Sequence, residues 1–417
     1  MSHITIHGTA PLGGELSVQR SKNSVLPLLA AALLHRGSCR IERCPHLTDV
    51  EAAVEIMTHL GCRVHWEWGN LVVNAAHICR SDIPTHLMSR FRSSVVFLGA
   101  ILARCGEATL SYPGGCELGA RPIDLHLASL RALGAEIEET GGILRCRAGR
   151  LRGREILLPF PSVGATENAM LAATAAEGVT IISNAAREPE ITDLQHFLQK
   201  LGVSVHGAGT STITIHGGAA LHDCTHCPIP DRIVTATYLC AAAACGGKIT
   251  LHDTNYRHLA PVTTALHQAG CAIQCREDSI TLSSAGRLHS LPPVRTYPYP
   301  GFPTDAQPIL MAALLRSKGA TMVVENIFEN RYRHVPQLLR MGADIRLEGR
   351  VAMICGVEIL YGAEVCATDL RGGAALIVAA LQAEDTTTIR DIHHILRGYE
   401  DIVSDLRTLG GNITLHT

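Results

Sequence analysis

The sequence predicts an α/β protein made of six similar units, each with the order strand, helix, strand, helix, strand, strand, and divided three and three between two domains. Three observations lead to this prediction. A short glycine motif recurs about every 70 residues, a helical pattern precedes each copy, and alternating apolar residues follow it. The chain also has 417 residues, which is more than one hydrophobic core usually supports.

The glycine motif predicts a junction between a helix and a strand in every unit. Glycine accepts the left-handed backbone that ends many helices. Alternating apolar residues after it, as in Asn412-Ile413-Thr414-Leu415, are typical of a strand. The six copies begin at Leu60, Leu133, Leu201, Ala269, Met341 and Leu409.

An Ala-rich apolar helix precedes the motif in each unit, and a helix that is apolar on most faces is buried. We therefore expect three such helices inside each domain, with the sheets and the second helices outside. The first strand, Ile4 to His7, precedes the first buried helix and fits either domain. The buried helices are expected to end near Gly37, Gly106, Gly178, Gly247, Gly319 and Glu384.

Composition argues against nucleic acid or a membrane as partner. The formal charge is −2, which gives no electrostatic attraction to either. The longest apolar runs, such as Val25 to Leu34, are too short to span a bilayer, and we expect no signal peptide. With 15 cysteines and no export signal, the expected compartment is a reducing cytoplasm. Cys224-x-x-Cys227 is a weak zinc pattern because no second pair accompanies it.

Basic residues stand at the starts of several buried helices. A cation in the first turn opposes the helix dipole, so its placement there indicates a bound anion that the helix N–H groups and the cation hold together. Further arginines fall at equivalent loop positions in the repeats. Each one by itself suggests a solvated surface pair, but together they predict a cleft lined by cations for a small polyanionic substrate. The helix-start cations are Lys22, Arg92, Arg232 and Arg371, and the loop arginines are Arg121, Arg187, Arg331 and Arg397.

One loop combines a thiol with glycines and a cation. The segment Pro113 to Pro122 contains Cys116, three glycines and Arg121. Glycines let a backbone approach a ligand closely, and a nearby cation favours the thiolate over the thiol. The alternative is a surface loop with an incidental cysteine. The anion-binding groups elsewhere in the chain favour a functional thiol.

These residues resemble the enolpyruvyl transferases, and the loop with Cys116 and the segment Ser162-Val163-Gly164-Ala165-Thr166 resemble the branch that acts on UDP-N-acetylglucosamine. Phe160 and Val234 depart from the pattern, at positions where relatives often carry a basic and an acidic residue. The resemblance extends from end to end of the chain. Its other motifs are Ser21-Lys22-Asn23, Asp124-Leu125-His126, Asn184 to Glu190, Pro230-Asp231-Arg232, Phe302 to Asp305, Phe328 to Arg331, Ala367 to Arg371 and Arg397 to Glu400.

The resemblance implies two inside-out α/β domains, each with three β-α-β-α-β-β units around buried helices. Residues 22–229 would form the domain with the Cys116 loop, which would act as a lid. Residues 1–21 and 230–417 would form the other, with a hinge near 20–22 and 229–231. It also implies a cytoplasmic enzyme, a monomer or weak oligomer, that needs no metal or other cofactor.

The resemblance further implies transfer of the enolpyruvyl group of phosphoenolpyruvate to the 3'-hydroxyl of UDP-N-acetylglucosamine, with release of phosphate. This is the first committed step of peptidoglycan precursor synthesis, and so serves cell shape and division. The implied catalytic residues are Cys116 as proton donor, Asp305 as base, Lys22 and Arg397. Phosphoenolpyruvate would contact Lys22, Asn23, Arg121, Arg331, Asp369, Arg371 and Arg397. The nucleotide sugar would contact Asn23, Arg92, Arg121, Pro122, Ile123, Asp124, Leu125, Ser162, Val163, Gly164, Asp305 and Ile327.

Two alternatives stay open at this stage. A shikimate-type enolpyruvyl transferase would share the cation-lined cleft without needing the Cys116 loop. A non-catalytic relative would bind the nucleotide sugar as a sensor, although the presence of Cys116, Asp305 and the whole set of cations argues against it.

Overall fold

The computed structural model describes residues 2–114, 118 and 122–416, so Cys116 and Arg121 lie outside the described residues. The chain divides into two compact units. Described residues from 20–229, except Leu118, form the first, called here the 20–229 unit. Residues 2–19 and 230–416, together with Leu118, form the second, called here the 230–416 unit.

The chain opens with β1 (His3–His7) and β2 (Leu12–Ser17). The first repeat then contains α1 (Lys22–Ala32), β3 (Ser38–Ile41), α2 (Thr48–Leu60), β4 (Arg63–Glu67) and β5 (Asn70–Asn74). The second contains β6 (Asp82–Ile83), α3 (Thr85–Met88), a 3-10 helix (Arg92–Val96), α4 (Phe97–Cys105), β7 (Glu107–Ser111), α5 (Asp124–Ala132), β8 (Glu136–Thr140) and β9 (Ile143–Arg147). The third contains β10 (Glu155–Leu157), α6 (Val163–Ala173), β11 (Val179–Ser183), α7 (Pro189–Lys200), β12 (Ser204–His206) and β13 (Thr212–His216).

The second half of the chain repeats this order. The fourth repeat contains β14 (Cys224–His226), α8 (Arg232–Cys245), β15 (Gly247–His252), a 3-10 helix (Tyr256–Leu259), α9 (Ala260–Gln268), β16 (Ala272–Cys275) and β17 (Ser279–Ser284). The fifth contains β18 (Val294–Arg295), α10 (Gln307–Ala313), β19 (Ala320–Val324), α11 (Val335–Arg340), β20 (Asp344–Glu348) and β21 (Val351–Cys355). The sixth contains β22 (Glu364–Cys366), α12 (Leu370–Ala380), β23 (Thr386–Arg390), a 3-10 helix (Ile392–Arg397), α13 (Ile402–Thr408) and β24 (Asn412–His416).

The recurring glycine ends the outer helix of every repeat, as the sequence predicts. Helix α2 stops at Leu60, and Gly61 follows with a φ of 104°. The N–H of Cys62 then reaches back to the carbonyl of Met57 at 3.0 Å, which satisfies a carbonyl that the helix leaves open. The other five glycines also have positive φ, namely Gly134, Gly202, Gly270, Gly342 and Gly410.

The strands form six four-stranded sheets within the described part of the chain, one for each repeat, which confirms the predicted fold class. Each sheet has an antiparallel core and one parallel edge strand; β11, for example, pairs antiparallel with β13 and parallel with β10. The sheet orders are β22-β23-β1-β24, β10-β11-β13-β12, β14-β3-β5-β4, β16-β17-β15-β2, β18-β19-β21-β20 and β6-β7-β9-β8.

Two edge strands are exchanged between the first and fourth repeats. Strand β2 pairs in parallel with β15 of the fourth repeat, and β14 pairs in parallel with β3 of the first. Near these strands the division between the units falls at residues 19/20 and again at residues 229/230. At these boundaries the N–H of Ser21 donates to the carbonyl of Ile229 at 2.8 Å, and the N–H of Asp231 donates to the carbonyl of Gln19 at 3.0 Å.

Three apolar helices lie at the centre of each unit: α1, α4 and α6 in the 20–229 unit, and α8, α10 and α12 in the 230–416 unit. Every residue of α12 is buried. This confirms the predicted buried helices, but several of them are shorter than predicted: α1, α6 and α10 end at Ala32, Ala173 and Ala313, before the expected ends near Gly37, Gly178 and Gly319. Helix α10 begins at Gln307, because residues 303–306 form a turn in which the N–H of Ala306 donates to the carbonyl of Pro303. Among the described helices, none has the length and apolar character needed to cross a bilayer.

Candidate active site

The carboxylate of Asp305 is held between two arginines in the 230–416 unit. Its Oδ1 accepts a hydrogen bond from Arg331 Nη2 at 2.5 Å, and its Oδ2 accepts from Arg371 Nη2 at 3.2 Å. The side chains of Arg331 and Arg371 are 1% and 3% exposed, whereas that of Asp305 is 27% exposed. The cations therefore lie behind the carboxylate, and the carboxylate is the part of the cluster that a ligand can reach.

Each guanidinium is fixed by further contacts. Arg331 also donates from Nε and Nη2 to the carbonyl of Thr304, at 3.0 and 2.9 Å. The Arg371 guanidinium carbon lies 5.9 Å from the centre of the Tyr399 ring. Burial is the largest single influence and by itself would lower the pKa of Arg371, but Asp305, Tyr399 and Asp231 together outweigh it, and the net pKa is raised. Arg371 is therefore a permanent cation beside Asp305.

Glu325 connects the Asp305 turn to the loop that contains Ile327. This carboxylate is fully buried. Its Oε2 accepts from the Thr304 hydroxyl at 3.0 Å, and its Oε1 accepts from the Ile327 N–H at 2.8 Å. The same Oε1 accepts from the Thr296 hydroxyl and the Phe328 N–H. One buried side chain thus positions the residue next to Asp305 and the predicted sugar contact Ile327.

Aspartates cap the buried helices that begin next to the cations. Asp369 Oδ1 accepts from the N–H groups of Arg371 and Gly372, both at 3.0 Å. Asp231 Oδ1 accepts from Ile233 and Val234 at the start of α8. These contacts follow the usual N-cap geometry. Asp369 therefore contacts the backbone N–H of Arg371 at the start of α12.

A carboxylate of the protein lies beside Lys22, one of the helix-start cations. Lys22 Nζ lies 3.1 Å from Asp49 Oδ2, so a protein carboxylate already accompanies the cation at the start of α1. Both side chains are buried. Asp49 belongs to the first turn of α2 and was missed by the sequence analysis, since no motif spacing relates position 49 to position 22. Asn23 follows Lys22 as the second residue of α1 and is half-buried.

Apart from Asn23, the described residues of the 20–229 unit that are predicted to contact the nucleotide sugar lie at or just before the starts of three helices. Ser162 caps α6 and accepts from the Ala165 N–H at 3.4 Å, with Val163 and Gly164 as the first helical residues. Arg92 opens the 3-10 helix before α4, and its Nη1 donates to the carbonyl of Pro113 at 3.1 Å.

The segment 122–125 of the same set leads into α5. Pro122 and Asp124 are exposed, Leu125 is half-buried and Ile123 is buried. The next residue, His126, lies with Nδ1 2.8 Å from the Asn168 amide nitrogen of α6, and the Asn168 oxygen accepts from the Gly99 N–H of α4 at 2.6 Å. Asn168 therefore joins α4, α5 and α6, and it too was missed from the sequence.

Arg397 is the last residue of a 3-10 helix in the 230–416 unit and is half-buried. The next carbonyl, of Gly398, accepts from Gln19 Nε2 at 3.2 Å. Of the predicted site residues, Cys116 and Arg121 lie outside the described ones. Leu118 is among the described residues, and its carbonyl accepts a hydrogen bond from the N–H of Asn330 at 3.1 Å.

The described histidines, cysteines and acidic residues form no group of three or more arranged to hold a metal ion. The Cys224-x-x-Cys227 pattern accordingly has no metal cluster around it within the described part of the chain.

Comparison with known sequences yields relatives along nearly the whole chain. The family model for EPSP synthase (3-phosphoshikimate 1-carboxyvinyltransferase) matches residues 6–406. UDP-N-acetylglucosamine 1-carboxyvinyltransferase 2 of Caldanaerobacter subterraneus is 48% identical over 413 residues, which is 99% of each chain. UDP-N-acetylglucosamine 1-carboxyvinyltransferase of Finegoldia magna is 46% identical over 417 residues, covering 99% of this chain and 98% of the relative.

Solved structures share the fold. The enolpyruvyl transferase NikO from Streptomyces tendae superposes with a TM-score of 0.90 at 27% identity, covering 100% of this chain and 99% of the other. EPSP synthase from Acinetobacter baumannii superposes with a TM-score of 0.77 at 17% identity over the whole of both chains. The second likeness is one of fold.

Proposed function

The chain belongs to the EPSP synthase family of enolpyruvyl transferases, and we propose that it transfers the enolpyruvyl group of phosphoenolpyruvate to the 3'-hydroxyl of UDP-N-acetylglucosamine with release of phosphate. One observation carries the choice of acceptor: relatives at 46–48% identity over 99% of this chain have that activity in their names. The reaction would serve peptidoglycan precursor synthesis in the cytoplasm, and through it cell shape and division.

The reaction needs an acid and a base. A proton must be added to the vinyl methylene of phosphoenolpyruvate while the sugar hydroxyl attacks the neighbouring carbon, and a proton must later leave that methyl group as phosphate departs. We assign Cys116 as the proton donor and Asp305 as the base near the hydroxyl. The geometry of Asp305 supports its role, because two buried guanidiniums orient a carboxylate whose outer surface stays accessible.

Cations would bind the phosphate and carboxylate of phosphoenolpyruvate. We assign Lys22, Arg121 and Arg397 to direct contact, with Arg331, Asp369 and Arg371 in support and Asn23 near both substrates. Charge that develops as phosphate leaves is stabilised by fixed cations that need no reorganisation. The nucleotide sugar would contact Arg92, residues 121–125, Ser162 to Gly164, Asp305 and Ile327.

Phosphate release measures the reaction directly. Phosphoenolpyruvate is supplied with UDP-N-acetylglucosamine, with shikimate 3-phosphate, or with no acceptor. We expect release with the nucleotide sugar. Release with shikimate 3-phosphate would reassign the chain to the shikimate-type branch, and binding of the nucleotide sugar without release would make it a non-catalytic sensor.

The assigned residues have separate tests. Cys116→Ser should severely reduce turnover at neutral pH, and an epoxide phosphonate should alkylate Cys116, detected as a mass adduct on its peptide. Full activity of Cys116→Ser would refute the acid assignment. Asp305→Asn should lower kcat by about 100-fold or more, the usual size of general-base catalysis. Lys22→Ala should raise the KM for phosphoenolpyruvate by orders of magnitude.

A further inference from the structure

Two cysteines face each other across the exchanged strand pair of the 20–229 unit. Cys224 on β14 and Cys39 on β3 are register partners in a parallel ladder, so their side chains lie on the same face of the sheet. Their sulfur atoms are 4.0 Å apart. Register partners in a sheet have Cα atoms about 4.8 Å apart, which is within the range that a disulfide spans. The backbone already satisfies the main requirement for a cross-link.

The two thiols differ in access and in chemistry. Cys39 is 1% exposed, while Cys224 lies in an edge strand and is half-buried. Lys200, which donates from Nζ to the carbonyl of Thr225 at 3.0 Å, places a positive charge next to Cys224. The hydrogen bond with Cys39 is the largest influence that lowers the pKa of Cys224, and Lys200 adds to it, whereas the same hydrogen bond and burial raise the pKa of Cys39. Cys224 is therefore the nucleophile of the pair.

We propose that Cys39 and Cys224 form a reversible disulfide when the protein meets hydrogen peroxide. The Cys224 thiolate attacks one peroxide oxygen and the O–O bond breaks, which gives a sulfenic acid and hydroxide. The Cys39 sulfur then attacks the Cys224 sulfur. The S–O bond breaks, the Cys39 proton joins the departing hydroxyl as water, and the S–S bond remains. Peroxide is reduced to water and the two thiols are oxidised, so the electrons balance.

The cross-link draws the sulfurs from 4.0 Å to about 2.05 Å, and β14 is the strand that can yield. It has three residues, and its ladder partner is β3. Two residues beyond Cys224, His226 Nε2 lies 2.8 Å from Asp193 Oδ1, and Asp193 Oδ2 also accepts from the N–H of Ile229 at 3.2 Å. A movement of β14 is therefore transmitted to the segment 226–229, where the chain leaves this unit.

Peptide mapping of the intact protein tests the proposal without any assay of activity. The fully reduced chain is treated with hydrogen peroxide, remaining thiols are blocked with N-ethylmaleimide, and the chain is digested without reductant. We expect a linked peptide pair that contains Cys39 and Cys224, lighter by two hydrogen atoms than the sum of its parts and separated by dithiothreitol. Amide exchange of residues 224–229 should change on oxidation and return on reduction.

Variants assign the order of the two steps. Cys39→Ala should stop the reaction at the sulfenic acid, which dimedone traps on Cys224, and Cys224→Ser should leave Cys39 reduced at the same peroxide dose. Cys227→Ser is the matched control, three residues from Cys224, and should still form the link. The proposal is overturned if Cys39 and Cys224 remain reduced after peroxide, and so carry N-ethylmaleimide, while the exposed Cys79 and Cys105 are oxidised. It is also overturned if Cys224 links to Cys227 instead. The wild-type map does not depend on how any variant folds.

Discussion

Nη2 of Arg331 lies 2.5 Å from Oδ1 of Asp305, with the arginine side chain 1% exposed and the aspartate side chain 27% exposed. The strength of such a pair comes from the buried, hydrogen-bonded guanidinium, which also donates to the Thr304 carbonyl. A charged fork of this kind fixes both the position and the direction of the carboxylate. The outer face of Asp305 is then oriented before any substrate arrives.

Arg331→Lys tests whether that orientation matters for turnover. Lysine keeps the positive charge, but it cannot reproduce the planar fork to Thr304 and Asp305. We expect kcat to fall by on the order of 100-fold, the cost of a small misplacement of a reacting group, with a smaller change in the KM for UDP-N-acetylglucosamine. Steady-state kinetics with both substrates varied measure this. Arg340→Lys, on the exposed end of α11, is the control and should behave as wild type. A wild-type kcat in Arg331→Lys would remove the fork from catalysis.

Glu325→Gln tests the connection between the Asp305 turn and the Ile327 loop. Glu325 accepts hydrogen bonds from two hydroxyls and two backbone N–H groups, and glutamine replaces one acceptor oxygen with a donor. A buried donor that faces other donors costs about 1–3 kcal/mol. We expect a lower Tm and a higher KM for the nucleotide sugar. Glu329→Gln, at an exposed position, is the control. An unchanged KM together with a lowered Tm would limit Glu325 to a structural role.

The order of helices and strands and the ends of the outer helices were predictable from the sequence because the same unit repeats six times. Six glycine motifs marked six helix ends, and each glycine has the positive φ that the motif requires. The starts of several buried helices were also predictable, since Asp231, Ser162 and Asp369 are the N-cap residues that their residue types suggest. Repetition lets one pattern be tested six times in a single chain, which a lone motif does not allow.

The contacts of the charged residues were less predictable. Lys22 meets Asp49 and Arg331 meets Asp305 through tertiary packing, and no periodicity along the chain relates these positions. The exchange of β2 and β14 is also absent from the local pattern, because a three-residue strand such as β14 has the same sequence signature in either sheet. Sequence patterns describe which residues are buried and where elements end, whereas partner choice depends on three-dimensional proximity.

Asp193 contacts both segments through which the chain enters and leaves the 20–229 unit. Substituting it tests how much these contacts contribute to stability. This carboxylate is 2% exposed. It accepts from the hydroxyl of Ser24, two residues after Lys22, and from the N–H of Ile229, and it lies 2.8 Å from His226 Nε2. Asp193→Asn should lower the free energy of unfolding by about 1–3 kcal/mol. Denaturant unfolding measures it, with the exposed Glu155→Gln as control.

A double-mutant cycle separates the contact with Ser24 from the rest. Ser24→Ala and Asp193→Asn are measured singly and together, and we expect a coupling of about 0.5–3 kcal/mol, as for other residues in direct contact. If the two effects add, Asp193 supports the segment 226–229 and has no part in holding the start of α1. If they couple and the KM for phosphoenolpyruvate also rises in Ser24→Ala, the carboxylate helps to position Lys22.

Asp405 on α13 gives the stability of the protein a defined pH dependence. Burial raises the pKa of its carboxyl to about 6, with Asp401 and Glu400 adding to the effect and the hydrogen bond from Tyr238 opposing it. Because the pKa in the folded state lies above the ordinary value of 3.8, ionisation favours the unfolded chain. Ionisation of Asp405 therefore lowers the free energy of unfolding. This loss is absent below about pH 4, grows as the pH rises to about 6, and is constant above that.

Asp405→Asn removes the ionisation and keeps an oxygen that accepts from the Tyr238 hydroxyl, which lies 2.5 Å from Asp405 Oδ2. The Tm of the variant minus that of wild type should therefore be more positive at about pH 8 than at about pH 4. Thermal unfolding at both pH values measures this difference. Asp385→Asn is the matched control, because its carboxylate is exposed and asparagine tolerates the left-handed backbone at that position, where φ is 67°. A Tm difference for Asp405→Asn that stays constant between the two pH values would show that the buried carboxyl does not titrate with folding.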